Sequence, residues 1–264
     1  MAQLLNGYFF ESDEIDEAYK NGKLVWKKEA PVPTGTPLSD LAIGETVKLN
    51  ENGEVAEWII VHKGSPNSSY ENADGTWLLR KEVHSMIEPT LDDCRGWFDN
   101  QFDEACNDFF DEKLFAYDNV ILEATIPSNY NPNQNPYYSP TDDRKCFLLS
   151  ATEVGIKTNS LEFYSYFPES RVNVKNIAPD SKLDYFNLYD ASDAKRVGKH
   201  KGSNVYWATR TNARESDGVT LAGIVSIAPS GGRFVSKNFD AKGVRPAVVV
   251  SKEAMVDKDN ILIP

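Results

Sequence analysis

The stretch DAKGVRPAVVV, residues 240–250, sets the terms for the fold. Ala247 to Val250 read as a buried apolar strand close to the end of the chain. Gly243 permits a tight entry into that run, and Pro246, which has no amide N–H, suits an edge or a bulge. Arg245 stands between them. Read as structural, it is held by a carboxylate or by backbone carbonyls through its planar fork. The competing reading is an arginine that meets a ligand.

Upstream, residues 205–244 read as several short strands divided by Ser-Asp-Gly, Ser-Gly-Gly and Ala-Lys-Gly turns. Nearer the start, Thr46–Leu49 and Val55–His62 flank Asn52-Gly53, which predicts a hairpin. GTWLLRKEVHS, 75–85, is a further strand around Trp77, Leu78 and Leu79. Between 91 and 115, apolar residues at near-helical spacing (Leu91, Cys94, Trp97, Phe98, Phe102, Ala105, Phe109, Phe110, Leu114) face away from abundant carboxylates. That pattern predicts one or two core helices with an acidic, wet face. Residues 128–143 lack periodicity and read as a long surface loop carrying Tyr137 and Tyr138 at its tip, and KCFLLSATEVG, 145–155, returns to strand and then the start of a short helix.

The first segment is separable. Asn21-Gly22 between Ala18-Tyr19 and Leu24-Val25-Trp26 predicts a hairpin within residues 1–28, and the Pro-rich residues 29–37 read as an extended linker. A hairpin of this size is not stable alone, so it must dock on something.

Composition narrows the function. The 264 residues are 41% hydrophobic and carry a formal net charge of −12, which speaks against a nucleic-acid-binding face. The one basic run, AKRVGKHKG at 194–202, reads as a solvated loop. No apolar run is long enough to span a bilayer, and the N-terminus lacks the basic start of a signal peptide. Cys94, Cys106 and Cys146 have neither disulfide nor zinc spacing and read as small buried hydrophobes. His62, His84 and His200 form no paired motif and read as satisfied polar residues. No nucleophile elbow, P-loop or dinucleotide fingerprint is present, so no enzyme is expected.

LSDLAIGETVKLNENGEVAEWIIVHKG, GTWLLRKEVHS, FLLSATEVG, KLDYF, YW-x-x-R and GVRPAVVV occur in that order over residues 38–255. Together they resemble an uncharacterised domain of phage and gut-bacterial proteins. That family is distantly similar to the C-type-lectin fold and the formylglycine-generating-enzyme superfamily. KNGKLVW and the residues before it separately resemble N-terminal segments of phage structural proteins. The resemblance implies an α+β fold: a C-type-lectin-like domain over 38–264, built of short mixed and antiparallel sheets with one or two helices, plus an N-terminal β-hairpin appendage. Its last strand returns to pair near the first ones, with Trp207, Gly243, Arg245 and Pro246 in structural roles.

The departures are as informative. IEPT at 87–90 and WFDN at 97–100 stand in the wrong places and order for calcium-bridged sugar binding. The last cysteine is Cys146, which rules out the C-terminal cysteine pair of formylglycine-generating chemistry. The resemblance places ligand contacts between Trp207 and Gly243, on Arg210, Asn212, Arg214, Glu215, Asp217, Arg233, Phe234, Asn238 and Phe239.

The implied function is a bacteriophage virion structural protein, oligomeric in the particle and synthesised in the host cytoplasm, that displays the lectin-like domain for attachment to a host-surface glycan or protein. Tyr19, Asn21, Gly22, Leu24, Val25 and Trp26 would anchor residues 1–28 to other virion proteins. The alternative is a head or tail decoration or cement protein that binds no receptor. No nucleic acid, membrane or cofactor is expected, apart from a structural calcium ion as a candidate at Asp142, Asp143 or the 71–75 turn.

Overall fold

The computed structural model describes residues 2–5, 8–11, 17–20, 23–27, 35–90, 100–127, 141–156, 182–187, 193–214, 221–236 and 240–264, with backbone alone given for 2–27, 212–214, 221–223 and 234–236. The chain divides into two compact units, Met1–Thr34 and Gly35–Pro264.

The smaller unit holds two antiparallel hairpins, where the sequence predicted one. β1 (Ala2–Leu5) pairs with β2 (Tyr8–Glu11), and β3 (Glu17–Lys20) pairs with β4 (Lys23–Lys27). The register Lys20↔Lys23 leaves Asn21 and Gly22 between the strands, the two-residue connection expected of that pair; the turn itself lies outside the described residues. The larger unit begins inside the expected linker. Thr36–Pro37 form β5, which pairs with Met255–Val256 near the end of the chain, so these two residues are sheet and not spacer.

From there the chain runs through β6 (Thr46–Glu51), β7 (Glu54–Lys63), β8 (Gly75–Arg80), β9 (Ser85–Ile87), α1 (Gln101–Phe109), β10 (Ala124–Pro127), β11 (Thr141–Arg144) and β12 (Cys146–Phe147). It continues through β13 (Gly198–His200), β14 (Ser203–Val205), β15 (Trp207–Arg214), β16 (Leu221–Ile227), β17 (Arg233–Ser236), β18 (Lys242–Val244), β19 (Ala247–Ser251) and β20 (Met255–Val256). The result is a mixed α+β, sheet-rich fold with one short α-helix among the described residues.

Two five-stranded sheets organise it. One is antiparallel, in the order β12-β19-β8-β7-β6; the other is mixed, in the order β17-β16-β15-β18-β9. The 240–250 stretch belongs to both. β18 lies between β15 and β9 in the mixed sheet, and β19 lies between β12 and β8 in the antiparallel one. Residues 75–87 make the same passage in the opposite direction, β8 pairing β19 and β9 pairing β18. Arg245 and Pro246 are the bend between sheets. This is why a proline interrupts an otherwise sheet-forming run: at the bend its missing N–H breaks no ladder bond, while its carbonyl accepts from the Arg80 amide at 2.9 Å. The 75–85 strand expected from sequence therefore ends at Arg80, and residues 81–84 form the facing corner.

Burial explains the patterns. Trp58 to Val61 in β7 and Ala247 to Val250 in β19 are buried on consecutive positions, as a strand covered on both faces requires. β6 and β7 are joined at Asn52 and Gly53, both with positive φ (54° and 96°), as the Asn-Gly pair predicts. α1 starts at Asn100, whose side chain accepts from the Phe102 and Asp103 amides. A π-turn (Phe110–Leu114) then advances the register, so that Phe102, Cys106, Phe109, Phe110 and Leu114 all face the core. Phe109 packs 6.2 Å from the Trp58 ring and 4.5 Å from His84. Trp77 lies edge-on to Tyr70 and Phe147, each at 5.5 Å. Cys106 and Cys146 are buried, as expected; Cys94 lies outside the described residues.

Three further expectations are corrected, two of them by buried charge. Asp103, assigned to the wet face of the helix, is fully buried and accepts from Nε and Nη2 of Arg144 at 2.9 and 2.8 Å. Arg196, in the expected solvated loop, is buried, its carbonyl accepting from the Trp207 indole at 2.8 Å. Residues 141–143, the end of the expected surface loop, belong to β11, which pairs with β10, and residues 128–140 lie outside the described part.

Candidate functional site

A groove of about 780 Å³ opens where the bend meets the β13–β14 hairpin. β7 contributes Val55, Ala56, Glu57 and Ile59; the end of β8 and its corner contribute Arg80, Lys81 and Glu82. Tyr185 stands on a second side, and Ala194, Lys195, Val197, Lys199 and Asn204 on a third, with Arg245 beneath. The hairpin is fixed to the corner by the Val83 amide, which donates to the Lys199 carbonyl at 2.7 Å. Gly198 is required there, because a Cβ would sit 2.6 Å from the Trp207 ring.

The floor is set by Arg245. Its Nε donates to the Arg80 carbonyl at 2.8 Å, and its Nη1 makes a long contact of 3.5 Å to the Arg196 carbonyl. The guanidinium lies 5.1 Å over the Trp207 ring. Of the two holders the sequence allowed, the backbone carbonyls are the ones used. Burial pulls its pKa down to about 10, opposed by the field of Tyr185. Gly243 has an ordinary φ; its small size matters because a Cβ would sit 2.6 Å from a Val83 methyl.

Around the rim, Lys81 pairs with Glu57 at 2.7 Å, and Lys195 donates to the Tyr185 carbonyl at 2.8 Å while lying 5.0 Å over its ring. Exposed ion pairs of the Lys81 kind contribute little to stability. The exposed Val55 adds an apolar wall.

The expected contact residues between Trp207 and Gly243 do not form one surface among the described residues. Arg210 is a correction: it is 1% exposed and its guanidinium is held by Glu153, with further bonds to the Pro127 and Leu148 carbonyls at 2.9 and 2.8 Å. A ligand cannot reach it. Arg233 is half-buried at the start of the edge strand β17. Asn212, Arg214 and Phe234 lie in β15 and β17 with backbone alone described, and Glu215, Asp217, Asn238 and Phe239 lie outside the described residues. In the smaller unit, Tyr19, Leu24, Val25 and Trp26 lie in its second hairpin, again as backbone. The groove itself was missed: it joins segments far apart in sequence, and only Arg245 of its lining had been singled out.

Titratable groups elsewhere are committed. His62 Nδ1 meets Asp184 at 2.8 Å, although its Nε2 is buried without a partner, so that histidine is only half satisfied. The His200 ring meets the Val83 carbonyl at 3.2 Å. At the candidate calcium positions, Asp142 pairs with Arg144 at 2.9 Å, Asp143 accepts from Thr125, and Asp74 faces Lys252 at 3.2 Å. Carboxylates facing cations do not suit a calcium site, which wants several free oxygens. Among the described residues no three His, Cys, Asp or Glu side chains converge as a metal site would need, and no helix is long and apolar enough to cross a membrane.

Residues 61–252 match the family described as a domain of unknown function, DUF6273. The chain belongs to the DUF6273 family. The matched span begins in β7 and ends just past β19, so it takes in the mixed sheet, the antiparallel sheet apart from β6 and the first part of β7, and the bend that floors the groove. No curated protein and no solved structure matches the chain.

Proposed function

We propose that the protein is a bacteriophage virion component whose larger unit, a C-type-lectin-like display domain, binds a molecule at the host surface. The observation that carries this reading is the division of the chain. A hairpin unit, Met1–Thr34, too small to be stable by itself, precedes a unit with an extensive core and an open groove. An anchor plus a display domain has this organisation, and many copies on one particle would let weak sites act together, with avidity gains of ~10²–10⁴.

The chemistry favours binding over turnover. The deeply buried carboxylates Glu153 and Asp103 are spent on Arg210 and Arg144. The groove holds cations, a phenol and apolar walls, a set suited to recognition.

The test is made on particles. The full chain should be found by mass spectrometry in purified virions, and a variant lacking residues 1–28 should be lost from them. Normal copy number of the shortened chain would sink the anchor.

A further inference from the structure

Arg245 is a buried cation without an anion. Arg80, Arg144 and Arg210 each meet a carboxylate, from Glu51, Asp103 and Glu153 respectively. Arg245, at 1% exposure, has only neutral partners: two backbone carbonyls, one of them distant, and the face of Trp207. Its Nη2 makes no hydrogen bond to the described residues, and the side chain lines the groove. A guanidinium withdrawn from water in this way calls for a negative partner.

The surroundings point the same way. The protein carries a net charge of −12, yet Arg80, Lys81, Lys195, Lys199 and Arg245 line the groove against Glu57 and Glu82. Lys199 is exposed and makes no side-chain bond or ion pair among the described residues. The Tyr185 side chain lines the groove close enough for its field to reach Arg245, and its hydroxyl has no hydrogen bond among them. Trp207 covers one face of the guanidinium, leaving the in-plane edge that matches an oxyanion. A groove of about 780 Å³ accommodates a ligand of disaccharide size.

We propose that this groove binds the oxyanion group of a small ligand, a carboxylate or a phosphate, with Arg245 at the floor and Lys199 and the Tyr185 hydroxyl beside it. The inference rests on reading the larger unit as a binding domain and not on the particle anchor. Loss of incorporation with binding intact would sink only the anchor; absent anion binding with incorporation intact would sink only the groove.

The experiment is calorimetric titration of the full chain at low salt with glucuronate, glucose 6-phosphate and glucose. At least one of the two anions should bind, glucose should bind at least about tenfold more weakly, and affinity should fall as salt is added. Which anion binds decides between carboxylate and phosphate. Lys199→Ala and Tyr185→Phe should each weaken that anion by about three- to tenfold with the melting temperature nearly unchanged, and Arg245→Lys by more. Equal binding of glucose, no binding of either anion at millimolar concentration, or unchanged affinity in both Lys199→Ala and Tyr185→Phe would overturn the proposal.

Discussion

Arg210 and Glu153 pair inside the larger unit, 57 residues apart in sequence and both essentially without solvent exposure. The carboxylate also accepts from the Tyr70 hydroxyl at 2.6 Å and the Ser150 amide at 2.8 Å, so its oxygens are fully used. Breaking one side of such a pair leaves a buried charge. Glu153→Ala should destabilise the fold by about 3–5 kcal/mol in urea unfolding, and Arg210→Met by a similar amount. The double variant Glu153→Leu with Arg210→Met should lose far less than the sum. Strict additivity would refute the pairing.

The approach of Gly243 to Val83 gives a second expectation. A Cβ at 243 would sit 2.6 and 3.0 Å from the two Val83 methyls, in a place where Val83 is 3% exposed. Gly243→Ala should cost about 1–3 kcal/mol through overpacking. Adding Val83→Ala should recover part of that loss. If the second change makes matters worse by its full separate cost, the two residues are not in steric conflict.

His84 supplies a pH dependence. Burial, then the nearby Arg80 charge, holds its pKa below the ordinary value of 6.5. The folded state therefore prefers the neutral ring, and the unfolded chain takes up the proton first. The stability it contributes is present above pH 6.5 and is lost as pH falls through the lower, folded-state pKa. Melting temperatures between pH 5 and 8 should decline toward acid more shallowly in His84→Gln than in the unaltered protein. Parallel curves would exclude His84 as the source.

The buried thiols make a chemical prediction. Burial, together with a hydrogen bond that the Cys106 thiol makes to Cys146, pushes the Cys106 pKa well above its ordinary value, which keeps the nucleophilic thiolate scarce. Alkylation followed by peptide mapping should leave Cys106 and Cys146 unmodified in the native protein and modify both in denaturant. Rapid native labelling at either position would contradict the burial.

Asn100 caps α1 through two backbone amides at 2.9 and 3.0 Å. Asn100→Ala should lower stability by about 1 kcal/mol, and Asn100→Asp should retain most of it. Calorimetric melting compares the three proteins directly.

What the sequence determined by itself was local. Asn52-Gly53 marked the β6–β7 hairpin because both residues accept positive φ. Ala247–Val250 marked a buried strand, because an apolar stretch without alternation has no solvent side to offer. Gly243 and Pro246 flagged a special place in the chain, and Arg245 was readable as a structural arginine held by a carboxylate or by carbonyls, between which only the structure chose.

The tertiary structure decided which charges disappear from water. Asp103 lies in an acidic run and Arg210 in a polar strand, and nothing beside them in sequence shows that Arg144 and Glu153 will close over them. The groove has the same origin, since β7, the 81–84 corner, Tyr185 and the β13–β14 hairpin meet only after the chain has crossed from one sheet to the other. Turn geometry and hydrophobic period act over a few residues and leave a mark in composition. The pairing of distant charges depends on where folded strands bring them, and any carboxylate in the chain could have been the partner until the sheets were in place.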